Sequence, residues 1–134
     1  LTAQIISTIP TNYTVAENNR NIKIEHFENL VAMAAADGHM DDDEKEFLAE
    51  KAEEFGLNPE EIKEILNNPH ELTFKVPTTQ DEKEEQLSDA VFMAMIDGEI
   101  HEKEYAMCIN FANKLGLSNT DVDEIIALAK RLSL

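Results

Sequence analysis

With 134 residues the chain has the size of one domain, which typically buries roughly 68–70% of the surface its unfolded form exposes, so one apolar core is enough. Its 11 Lys and Arg stand against 28 Asp and Glu, a formal charge of −17. That field repels phosphate backbones and anionic lipid heads, excludes nucleic acid as an expected ligand, and favours cations and basic protein partners.

Cys108 is the one cysteine, so no internal disulfide can form and a cytoplasmic home is the default expectation. Leu1 to Pro10 has no basic leader, and nowhere do about 20 consecutive apolar residues occur, so neither a signal peptide nor a membrane span is expected. A homodimer is compatible with this composition.

Shifting the chain by sixty residues aligns Phe27 to Leu66 with Leu87 to Ile126 without a gap, with eleven identities in forty positions. Such self-similarity is the mark of an internal duplication. The identities include Val31/Val91, Met33/Met93, Asp37/Asp97, Gly38/Gly98, Glu44/Glu104, Ala52/Ala112 and Gly56/Gly116. The first copy holds 13 acids and 3 bases against 8 and 2 in the second, so the negative field is strongest over the first half.

In chain order, Ile5, Ile6 and Ile9 suggest a short helix ended by Pro10, and the polar run Asn18 to Asn21 reads as a loop. Each copy then reads as three helices. In the first copy the apolar stripes are Phe27, Leu30, Val31 and Ala34, then Phe47, Leu48, Ala52 and Phe55, then Ile62, Ile65 and Leu66. All four glycines, Gly38, Gly56, Gly98 and Gly116, fall where the first two helices of each copy should end, leaving none for a phosphate-cradling loop. Asp41 with Glu44, Asn58 with Glu61, His101 with Glu104 and Ser118 with Asp121 mark helix starts, each a capping residue with an acid three positions on.

Residues 67–79, bracketed by Pro69 and Pro77, read as a linker in which Leu72, Phe74 and Val76 alternate along an extended segment lying against the bundle. Thr79 with Glu82 then caps the helix that opens the second copy. The expected architecture is all-α: two tandem three-helix repeats, 27–66 and 87–126, packed as a pseudo-twofold helical bundle within a single domain, 1–134.

Local structure does not fully account for Asp37-Gly38 with Glu44, nor for its copy Asp97-Gly98 with Glu104. By helical spacing both acids of each turn extend inward-facing stripes. Asp37 also ends its helix, where the macrodipole disfavours negative charge by about 0.3–1 kcal/mol. One reading makes the acids local: the aspartate accepts a turn N–H and the glutamate completes a capping box. The other places a hard divalent cation, calcium or magnesium, between Asp37, Glu44, Asp97 and Glu104, as two sites or one shared site.

An ordinary EF-hand is excluded, because its first ligand positions would be Met33 and Ala35, or Met93 and Met95. A di-iron bundle is disfavoured, since no histidine lies three residues after a glutamate. His39 and His101 lie in the turns and read as solvated or capping side chains, the methionines as gap-filling core, and Cys108 as a small buried hydrophobe. No serine sits in a nucleophile motif, so a non-enzymatic module is expected, with metal-assisted hydrolysis at the turns as the one enzymatic alternative and a metal-free scaffold as the structural one.

Ala36-Asp37-Gly38, then Glu44, then a helix ending in Gly56-Leu57, repeated as Asp97-Gly98, Glu104 and Gly116-Leu117, resembles the tellurite-resistance TerB-like family. The resemblance covers Phe27 to Ile126. It implies an all-helical duplicated bacterial domain associated with stress resistance, with Asp37, Glu44, Asp97 and Glu104 as metal ligands.

Overall fold

A computed structural model describes residues 15–36, 38 and 40–132, with side chains from residue 19 onward. The described residues form six α-helices and no strand: α1 (Val15–Ala34), α2 (Asp42–Glu54), α3 (Pro59–Asn67), α4 (Gln80–Ala94), α5 (Glu102–Leu115) and α6 (Asn119–Leu132), with a 3-10 turn at Pro69–Glu71. The all-α class is as expected. The suggested helix around Ile5 to Ile9 lies outside the described residues.

Helix ends follow the punctuation in the sequence. The Glu44 N–H donates to Asp41 at 2.8 Å, the Glu61 N–H to Asn58 at 2.9 Å, and the Glu82 N–H to Thr79 Oγ1 at 3.2 Å. Ser118 and Asp121 bond reciprocally, at 2.8 and 3.2 Å. Gly38 and Gly98 close the two carboxylate turns at φ of 81° and 89°, a left-handed conformation that a Cβ would strain.

Two local expectations fail for tertiary reasons. Asn18 to Asn21 is helical, not a loop, because α1 begins at Val15. Arg20 on this polar turn makes a two-pronged ion pair with Glu61 of α3, and Lys23 lies 3.5 Å from Glu85 of α4. These contacts hold a weak helix former against its neighbours, a case of packing overriding propensity. The linker does place Leu72 and Phe74 against the core, with Phe74 edge-on to Phe111 at 5.3 Å. Val76, however, is 53% exposed, since the segment leaves the bundle surface before Pro77.

Helix α1 packs on α2, α3 and α4, while α4, α5 and α6 pack on one another. One buried cluster draws on both halves, with repeat-equivalent positions such as Phe27 and Leu87, Val31 and Val91, Ala52 and Ala112 inside. No helix among the described residues is long and apolar enough to cross a membrane.

Between α1 and α4 the layer is polar. His26, Asn29, Gln86 and Asp89 are all buried. The Asn29 amide donates to Gln86 Oε1 at 2.9 Å and to the Lys75 carbonyl at 2.8 Å, and its own oxygen accepts from the Lys75 N–H at 3.1 Å. Asn29 therefore straps the linker to α1 and α1 to α4. His26 Nε2 lies 2.9 Å from Asp89 Oδ2, a close approach without good hydrogen-bond alignment. Lys51 of α2 reaches the other Asp89 oxygen at 3.0 Å. Burial alone would raise the Asp89 carboxyl, but His26 and Lys51 outweigh it and hold the group below its ordinary value.

Replacing Asn29 by Ala strands the Lys75 backbone groups and the Gln86 amide. It should lower unfolding stability by roughly 2–4 kcal/mol in urea titrations and speed hydrogen exchange at the Lys75 amide. An unchanged midpoint would remove Asn29 from this strapping role.

Candidate functional site

Each candidate turn joins the end of one helix to the start of the next. In the first, α1 stops at Ala34 and Asp41 caps α2. Asp41 and Glu44 form a reciprocal capping box, the Asp41 N–H donating to Glu44 Oε1 at 3.2 Å. Asp37 and His39 lie outside the described residues. In the second turn α4 stops at Ala94, and the His101 N–H donates to Glu104 Oε1 at 3.0 Å.

Asp97 is the aspartate whose surroundings are described. Its Oδ1 accepts from the Glu99 N–H at 3.1 Å, and its Oδ2 lies 3.2 Å from His101 Nε2. These contacts offset the unfavourable helix end that the sequence places beneath it. The Asp97 carboxyl is held below its usual range, first by the Glu99 N–H and then by His101; the His101 imidazole is raised, first by its bond to Asp97. The inward lean expected from helical spacing fails for Asp97, whose side chain is 55% exposed. Beyond the C-cap residue Met95 the backbone has left the helix, so the helical period no longer sets its direction.

The two turns nevertheless meet. A cleft of about 120 Å³ is lined by Asp41, Asp43 and Glu44 from the first turn and by Met93, Ala94, Ile96, Asp97 and Glu104 from the second. Glu44, Asp97 and Glu104 are thus brought to one place, joined by Asp41 and Asp43. Asp41 reads from sequence as a helix cap; the approach of the second turn makes it and Asp43 cleft walls. Among the described residues, no group of three or more His, Cys, Asp or Glu is arranged to hold a metal ion.

Residues 4–67 match the family model described as tellurite resistance protein TerB. That stretch of the chain is TerB-like. The matched TerB stretch takes in Asp37 and Glu44 and ends with α3, so the copy carrying Asp97 and Glu104 lies beyond it. No curated protein and no solved structure matches the chain.

Several sulfur and imidazole groups of the chain are structural. Cys108 is fully buried, and burial pushes its thiol up to about 12, so the nucleophilic thiolate is scarce at neutral pH. Met33, Met93 and Met95 are core. The His26, Asp89 and Lys51 cluster was not legible in the sequence, because its members come from three helices; the one available signal was a polar residue at each of positions 26, 29, 86 and 89 within apolar stripes.

A raised histidine holds its charge, and its bond, below its folded midpoint and releases both as pH rises through it. A lowered aspartate releases the bond as pH falls through its own midpoint. The Asp97–His101 pair therefore spans the window between the lowered Asp97 and the raised His101. Asp97→Asn should move the His101 midpoint, followed by NMR, down toward the ordinary imidazole value of about 6.5; a midpoint that stays put would uncouple the two groups.

Proposed function

We propose that this TerB-like chain is a non-enzymatic, acidic interaction module, acting in the bacterial cytoplasm in stress response, that takes a hard divalent cation where its duplicated turns meet. The convergence of Asp41, Asp43, Glu44, Asp97 and Glu104 on one cleft carries this reading. Five oxygen-bearing acids suit calcium or magnesium rather than a soft metal. Capping engages Oε1 of Glu44 and of Glu104, yet an ionised carboxylate has about four acceptor sites, so capping and cation binding are compatible. The spread of these acids suits an ion that keeps much of its own water, as magnesium does. Asp37, equivalent to Asp97, is proposed to complete the set.

The module is proposed to be one domain over 1–134, its two halves related by a pseudo-twofold. Support comes from the polar layer: residues 26 and 86, and 29 and 89, are sixty apart, and the contacts exchange them, His26 with Asp89 and Asn29 with Gln86. Such i-to-j and j-to-i exchange is what a twofold imposes. A basic protein is the proposed partner, drawn by the charge of −17, and its affinity should fall as salt rises.

A second reading, in which the acids only terminate helices, is favoured by the complete Asp41–Glu44 capping box. Calorimetric titration of the chelator-treated protein with calcium, magnesium, manganese and zinc separates the two. Stoichiometric heat that disappears in Asp97→Asn/Glu44→Gln supports the cation site; a folded protein with no heat for any of the four ions leaves the acids as caps.

A further inference from the structure

Beside the first turn, on residues the acidic cleft does not use, lies a hollow of about 250 Å³. Its apolar wall is Ala35, Met40, Leu48 and Leu66; among the described residues its titratable lining groups are Lys45 and His70, and no carboxylate lines it. In a chain with 28 acids and 11 Lys and Arg, that local balance is reversed. Neither Lys45 nor His70 forms an ion pair with a described residue.

The sequence explains why the hollow is open. Pro69 cannot continue a helix, so α3 stops at Asn67, whereas α6 runs on to Leu132, the counterpart of position 72. Leu66 is left 37% exposed, while its counterpart Ile126 is 8% exposed. Ala35 also occupies the place that the larger Met95 takes in the second half. That half has a counterpart hollow of about 260 Å³, lined by Phe92, Met95, Gly98, Ala129 and Leu132, with no cationic side chain. One scaffold thus carries two apolar hollows, of which the first adds two cationic or protonatable groups at its rim.

We propose that the first hollow binds a small apolar carboxylate, a short aliphatic chain or a single ring, with its tail against Leu48 and Leu66 and its carboxylate at Lys45 and His70. The volume sits just below the roughly 300–1,000 Å³ of pockets for drug-sized ligands, which sets the ligand's modest size. The overall negative charge does not forbid it. Exposed acids more than about 8 Å away are screened at physiological salt, while an ammonium in contact with the carboxylate is not. This site stands independently of the cation reading.

The test is a ¹H–¹⁵N correlation titration of the full chain with hexanoate, against hexanol as its uncharged twin. Hexanoate should shift the Gly38, Leu48 and Leu66 amides saturably, at about three- to fivefold lower concentration than hexanol. The preference should vanish in Lys45→Gln/His70→Gln, both exposed positions. Ala35→Met, which installs the second half's residue, should weaken the hexanoate shifts while leaving the Asp97 and His101 signals in place. Absent saturation, equal potency of the two probes, or a preference that survives the double substitution would each overturn the proposal.

Discussion

Four polar side chains buried between α1 and α4 fix how the rest of the molecule is assembled. An apolar layer tolerates sliding, because one aliphatic contact can replace another, but a buried amide or carboxylate left unpaired costs about 1–3 kcal/mol or more. Asn29 meets Gln86 and His26 meets Asp89 only when α1 and α4 cross in one register. Lys51 then ties α2 to the same carboxylate, and the two bonds between Asn29 and the Lys75 backbone tie down the linker. Helices from both halves and the segment between them are thereby referred to one small polar centre.

The acidic cleft depends on that register, since α2 and the start of α5 are carried to each other by the helices they follow. Its acids have two kinds of work. Glu44 and Glu104 satisfy N–H groups that open α2 and α5, and Asp97 relieves the end of α4 by gathering the Glu99 N–H and the His101 imidazole. Each role is local and would exist in an isolated helix–turn–helix. What is not local is that acids of both turns line one cleft.

The two sequence copies keep some positions in common and differ at many others. Many buried positions correspond, such as Phe27 with Leu87 and Ala52 with Ala112, and all four glycine turns are kept. Among the differences are the point where each third helix ends and the side chains beside it, Ala35 against Met95 and Lys45 against Tyr105.

Much of this was legible in the chain itself, and the legible parts share a cause. Helix spans, capping pairs such as Asn58 with Glu61, and the left-handed glycines depend on neighbours within four residues, so spacing alone specifies them. The duplication was visible for the same reason, as a repeated local pattern. Tertiary structure decided whatever depends on residues distant in the chain: that Asn18 to Asn21 is helical with Arg20 reaching Glu61, that Asp97 faces solvent, that Asp41 and Asp43 wall a cleft, and that Asp89 binds His26 and Lys51. Sequence by itself determined most of the helices and their caps, though not the start of α1, because backbone hydrogen bonding is satisfied locally. Only the packed fold could decide which charged groups meet, because a charge is paired by whatever lies across the interface rather than by what lies beside it in the chain.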